Sequence, residues 1–306
     1  MLTVIATNVA ELMEGKFTPN ALSNLIRFSP EYRMELLSYS LFYEVRKILD
    51  EDPEQLELLE PDLTSDPFLK NNGYFIETLM DHHVKLDGIQ QPISSQPACD
   101  PNKYISVDGS HGFLEGASAA DIRRYTECYM RMLAKIINAV NIAKARGTYK
   151  SIIPVNEWAL ATRGKRFEEK AIEEMNENGW VINKVDKGFC DLCPGVRIGG
   201  RPDGYVVTSP TGEHDASMLE IKCMKMGHVN SNNVLQIRAY NMIYGVPVTL
   251  KTRDGLQRFT WGEYWSHIPA IMRRNATRLR QFLSLATFAD FERIRAIIVE
   301  DKPFSF

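Results

Sequence analysis

The stretch Met218–Cys223, reading Met-Leu-Glu-Ile-Lys-Cys, constrains the fold of this chain more than any other. Its apolar residues call for a strand, yet a carboxylate and an ammonium interrupt them. Successive side chains on a strand point to opposite faces. Leu219, Ile221 and Cys223 therefore share one face, while Glu220 and Lys222, about 7 Å apart along the strand, share the other. The apolar face is expected to pack on a helix and the charged face to line a cleft, because an unpaired carboxylate or ammonium in a dry core costs several kcal/mol, on the order of the penalty for any bare buried ion.

A second strand is expected over about Arg197–Val207, bent at Pro202, with the turn-rich segment "TSPTGEHDAS" (208–217) joining it to the first as an antiparallel hairpin. That connection brings Asp203 beside Glu220. Two neighbouring carboxylates repel, so the arrangement is stable mainly with a cation between them. An oxygen-rich site of this kind suits Mg²⁺ or Mn²⁺, as one or two ions. Lys222, desolvated and close to that cation, can then orient or deprotonate a water.

A third carboxylate is sought on the preceding helix, expected through "TRGKRFEEKAIEEMNENGW" (162–180). At about 100° per residue, Phe167, Ala171, Ile172 and Met175 define an inward face that includes Glu168, whereas Glu169 and Glu173 point outward. Glu168 either completes the cation site or sits at the rim of a helix–sheet interface. Gln236 and Tyr240, one turn apart on a helix expected over 232–245, can face the same cleft. They read either as phosphate or sugar contacts or as an ordinary half-buried helix face.

The rest of the chain sets the frame. Its 306 residues accommodate a large core with added segments. Residues 1 to about 90 read as helical, Asp87–Tyr104 as a linker, Ala119–Arg146 as a long helix, and Ile268–Leu285 as an amphipathic helix. Further strands are expected over Trp180–Val185 and Val246–Lys251. The net charge of -3 conceals an acidic run at Asp50–Asp66 and an arginine-rich stretch from Lys251 to Arg295, so it excludes no polyanionic partner. Arginines at 123, 124, 131, 273, 274, 278 and 280 either grip a nucleic-acid backbone or form solvated faces. No apolar run reaches the ~20 residues of a membrane span, no signal-peptide pattern opens the chain, and the five cysteines form no disulfide framework. An intracellular protein, cytoplasmic or nuclear and without a membrane partner, is expected.

Four segments, "RGKRFEEKA", "GGRPDGYVV", "LEIKC" and "QIRAY", follow one another in this order. Together they resemble the PD-(D/E)XK nuclease superfamily, in particular its lambda exonuclease and YqaJ-type viral recombinase branch, over roughly residues 110–250. The resemblance implies an α/β (α+β) restriction-endonuclease-like core, a central mixed sheet flanked by helices, over 106–250. A helical N-terminal region (1–105) and a C-terminal helical extension (251–306) would be added to it. It implies metal ligation by Glu168, Asp203, Glu220 and the Ile221 carbonyl, with Lys222 as a further catalytic residue. Ser118, in "EGASAAD", matches the family's phosphate-binding serine. The family's arginine before that segment has no counterpart, and Arg163 offers a positive charge in its stead. Gln236 and Tyr240 match a Gln-x-x-x-Tyr motif of related nucleases.

The implied activity is Mg²⁺-dependent hydrolysis of nucleic-acid phosphodiesters, foremost by a DNA exonuclease acting on duplex ends. A DNA or RNA endonuclease and a non-catalytic nucleic-acid-binding protein are the alternatives. Double-stranded DNA is the implied partner, and the resemblance admits a homo-oligomer and a single-strand annealing protein. Cys190 and Cys193 form a Cys-x-x-Cys expected in a turn, but no cysteine follows Cys223, which argues against the iron–sulfur cluster of some relatives.

Overall fold

A computed structural model describes residues 1–32, 155–262, 267–285, 288–300 and 302–306, with isolated positions between 33 and 154. The expected linker, the long helix with its basic residues, and the acidic run lie outside the described residues. The chain divides into two units, one of Met1–Ser29, Ile153–Phe282 and Pro303–Phe306, the other of Pro30–Ile152 and Leu283–Lys302.

In the first unit the elements run β1 (Leu2–Ile5), α1 (Val9–Glu14), β2 (Lys16–Phe17), α2 (Pro19–Arg27), α3 (Val155–Glu177), β3 (Val181–Asn183), β4 (Gly188–Cys193), β5 (Val196–Gly200), β6 (Gly204–Thr208) and β7 (Ser217–Ile221). They continue through α4 (Ser231–Tyr244), β8 (Val248–Lys251), β9 (Leu256–Phe259) and α5 (Ile268–Phe282) to β10 (Phe304–Ser305). A mixed five-stranded sheet has the order β3-β6-β7-β8-β9, with β7 and β8 parallel and the other pairs antiparallel. A three-stranded sheet has the order β1-β5-β4. In the second unit, Tyr39 stacks on Phe291 of α6 (Phe288–Glu300) at 5.7 Å and donates to the Leu285 carbonyl.

The two faces of β7 meet two different helices. Leu219 and Ile221 pack with Val206 against Ala171 and Met175 of α3, with Phe167, Ile172, Trp180 and Ile182 around them. Glu220 meets α4 on the other face, where the Gln236 amide reaches it. α4 starts at an Asn230–Asn233 capping box and stops at Gly245. It also packs against the smaller sheet, closely enough that a Cβ on Gly200 would lie 2.6 Å from Tyr240 Cε1 and 2.9 Å from Ala6 Cβ.

The single strand expected over Arg197–Val207 is two strands in separate sheets. Pro202 lacks the N–H that would continue a ladder. The chain breaks at Arg201–Asp203, leaving β5 in the smaller sheet and β6 in the larger. Cys190 and Cys193 stand on β4 rather than in a turn, and the turn of that hairpin is Pro194–Gly195. Strands also occur in both terminal segments expected to be helical. β1 runs parallel to β5, β9 extends the larger sheet beyond residue 250, and β10 pairs with β2.

Leu219 is fully buried between β6 and α3. Leu219→Ala is expected to lower the free energy of unfolding by about 2–5 kcal/mol in urea denaturation, and a loss below about 1 kcal/mol contradicts this packing.

Candidate active site

Asp203 enters the site because the break after β5 turns it toward the end of β7. Its N–H donates to the Leu219 carbonyl at 2.9 Å, and its Oδ2 accepts from the Ile221 N–H at 2.6 Å. Ile221, the last residue of β7, is thereby tied to Asp203 through its amide. One residue earlier on the opposite face, Glu220 is only 3% exposed. Its Oε1 accepts from Lys222 Nζ at 2.7 Å and from Gln236 Nε2 at 2.9 Å. Strand parity thus correctly pairs Glu220 with Lys222, but the carboxylate lies beneath α4 instead of facing an open cleft. A buried charge requires such partners, since removing one strands the other.

Gln236 also donates to the Tyr240 hydroxyl at 3.2 Å, and that hydroxyl reaches the Arg201 carbonyl at 3.4 Å. Both side chains are buried, 5% and 4% exposed. They underpin Glu220, and their burial does not match the expected phosphate or sugar contact. Burial and the Glu220 carboxylate push the Tyr240 phenol pKa up, so the hydroxyl stays neutral. On the other side of the sheet, Glu168 is half-buried on α3, whereas Glu169 and Glu173 are exposed.

Electrostatics bind these groups into one neighbourhood. Burial, then Glu220 and Glu168, push the Asp203 pKa up to about 8. Burial raises that of Glu220 against the opposing pull of Lys222, with Glu168 adding to the rise. The Glu168 pKa is raised by burial and by Glu169, and Arg201, Lys165 and Lys222 oppose the shift. Arg201 was given no role by the sequence motif around Pro202, yet its charge acts on Glu168. Arg253 also borders this region, 3.1 Å from Cys223 Sγ and over the Phe167 ring at 6.0 Å. Its role is invisible in sequence because it comes from the β8–β9 turn.

Arg163 is exposed on α3, and Ser118 is exposed in the other unit. Cys190, Cys193 and Cys223 are free. No helix among the described residues is long and apolar enough to cross a membrane.

The donor set fits a hard divalent cation in kind: carboxylate oxygens whose mutual repulsion and burial raise their pKa values are what such a cation relieves. Among the described residues no three His, Cys, Asp or Glu side chains stand close enough to form a finished ligand cage. Asp203 and Glu220 are the carboxylates that the end of β7 brings together, with Glu168 half-buried on α3 and acting on both through its charge.

No family model matches the chain, and no curated protein does. Among solved structures, it is similar to an alkaline exonuclease (LHK-Exo) from Laribacter hongkongensis, at 16% identity and a TM-score of 0.32, covering 62% of this chain and 92% of that one. A likeness of that degree carries no argument about fold or activity, and the site rests on its own geometry.

Asp203 yields a pH prediction. Unfolded, it loses its proton near its ordinary value of 3.8; folded without metal, it keeps the proton up to about 8. The folded state therefore binds more protons than the unfolded state across that window, and its stability falls as pH rises through it. Thermal melts in EDTA are expected to show a lower Tm at pH 8 than at pH 5, with a smaller decline in Asp203→Asn. Equal slopes in the two proteins contradict the assignment.

Proposed function

We propose that this protein is a metal-dependent nuclease that hydrolyses nucleic-acid phosphodiester bonds, and specifically a DNA exonuclease acting on duplex ends in recombination, repair or replication. The observation that carries this reading is the electrostatic convergence of Asp203, Glu220 and Glu168 at the end of β7, with the Lys222 ammonium 2.7 Å from Glu220.

Asp203, Glu220, the Ile221 carbonyl and Glu168 are the proposed ligands of one or two Mg²⁺ or Mn²⁺ ions, which when bound supply charge neutralisation at the scissile phosphate and a more acidic water. The chain's own groups do the positioning. Gln236 fixes one oxygen of Glu220, which leaves the other oxygen available. Lys222, anchored by Glu220, holds and orients the attacking water near the phosphate and can take part in moving its proton. Tyr240, kept neutral, buttresses Gln236 without adding a charge. Arg201, beside Glu168 and exposed, offers a cation to a substrate phosphate. Arg163 and Ser118 are proposed as further phosphate contacts.

Removing Lys222 outright would strand the buried Glu220 charge, so Lys222→Gln, which keeps a donor, is the cleaner variant. Asp203→Asn and Lys222→Gln are each expected to lower Mg²⁺-dependent cleavage of an end-labelled linear duplex by about a hundredfold to a thousandfold, the scale of a lost electrostatic group in an active site. Both should retain the wild-type circular dichroism spectrum. Wild-type cleavage by either variant overturns the proposal. Degradation of linear duplex with closed circles left intact supports the exonuclease, and cutting of closed circles shows an endonuclease.

A further inference from the structure

A second cluster lies on the β4–β5 hairpin, outside the carboxylate site. Phe189 is 41% exposed, unusual for a phenylalanine on a sheet, and its ring lies over Gly199, where a Cβ would sit 2.8 Å from Phe189 Cδ1. The Arg197 guanidinium stacks at 3.9 Å from the centroid of that ring. Lys187 Nζ approaches it at 5.2 Å and lies 4.4 Å from the Phe28 ring.

The charge arrangement is as telling as the rings. Asp191 stands opposite Arg197 in the ladder, yet Arg197 turns its Nε to Thr3 Oγ1 at 3.1 Å and its guanidinium plane to Phe189. Among the described residues, no carboxylate forms an ion pair with Lys187 or Arg197. Partial burial and the Arg197 charge lower the Lys187 pKa, as befits two cations crowded together without an anion.

The position of the cluster ties it to the carboxylates. Phe189 pairs with Gly199, and β5 runs from there directly into Arg201-Pro202-Asp203. Gly199 and Asp203 are separated by at most about 14 Å of extended chain, a span of about four nucleotides in a stacked strand. Tyr244 fastens the approach, with its hydroxyl 2.9 Å from the Gly200 carbonyl and accepting from the Gly188 N–H at 2.8 Å.

We infer that the Arg197–Phe189 stack with Lys187 is a binding platform for a single nucleic-acid strand, placed to hold the segment adjoining the bond at the carboxylate site. A base lies against the planar, cationic Arg197–Phe189 stack, and Lys187 meets a backbone phosphate. Planar stacking combined with unpaired cations selects a nucleic-acid strand over an acidic peptide, which offers charge without a ring to stack. The inference rests on the nuclease reading for its place along the substrate, but not for its binding chemistry.

The test is fluorescence anisotropy of the full chain with a fluorescein-labelled single-stranded oligodeoxynucleotide in EDTA, so that binding is read without cleavage. Phe189→Ala and Phe189→Leu are both expected to weaken binding between about fivefold and a hundredfold, the range for a lost stacked base. Arg197→Lys, which keeps the charge and loses the plane, should weaken binding with an unchanged salt dependence. Lys187→Gln should lower the log–log salt slope by about 0.7, the value for one phosphate on a single strand. Binding within twofold of wild type in both Phe189 variants overturns the platform. So does displacement of the oligonucleotide by polyglutamate at equal charge concentration. Asp203→Asn separates the two readings: if it cleaves like the wild type, the nuclease proposal at this site fails while the Phe189 variants continue to decide the platform.

Discussion

A carboxylate at Glu220, only 3% exposed, is tenable because Lys222 and Gln236 both reach one of its oxygens. Much of the local architecture serves that one buried charge. The strand must present Glu220 and Lys222 on the same side, which fixes Leu219 and Ile221 on the other and hence the packing of α3. α4 must lie over the charged side with Gln236 inward, and Tyr240 must follow one turn later to hold the amide. Apolar residues of similar volume would fill such a core at little cost in stability, so the buried charge is better explained by a chemical use than by stability.

Asp203 gives that use its form. An acidic side chain tied to the Ile221 amide, buried and under the charge of Glu220 and Glu168, resists ionisation up to about pH 8 without a cation. The arrangement is unfavourable for the bare protein near neutrality and favourable once positive charge enters. Lys222 supplies only one such charge, already committed to Glu220. The proposed Mg²⁺ or Mn²⁺ would supply the remainder, and oxygen donors of this kind suit a hard cation.

Much of this centre was legible in the sequence because two short-range periodicities govern it. Alternation along β7 assigned Glu220 and Lys222 to one face, and helical spacing separated Glu168 from Glu169 and Glu173. What stayed hidden depended on contacts between distant segments. Strand parity cannot say that α4 covers Glu220, so a buried carboxylate reads as cleft-facing, and helical spacing alone leaves Gln236 and Tyr240 open between substrate contacts and the half-buried face that holds Glu220. Pro202 signalled a bend but not that its two flanks join different sheets. β1, only four residues long, takes its strand form from pairing with β5, and no periodicity can establish itself over so short a stretch. The cluster of Lys187, Phe189 and Arg197 has no signature in sequence, because these residues meet only through hairpin register and the space left by Gly199.

Asp203 and Glu220 are proposed to hold a cation between them. Isothermal titration calorimetry of Mn²⁺ into the metal-free wild type and the Asp203→Asn variant tests it most directly. Saturable binding to the wild type that disappears in the variant is the predicted result, whereas no binding to the wild type, or equal binding to both proteins, would contradict the account.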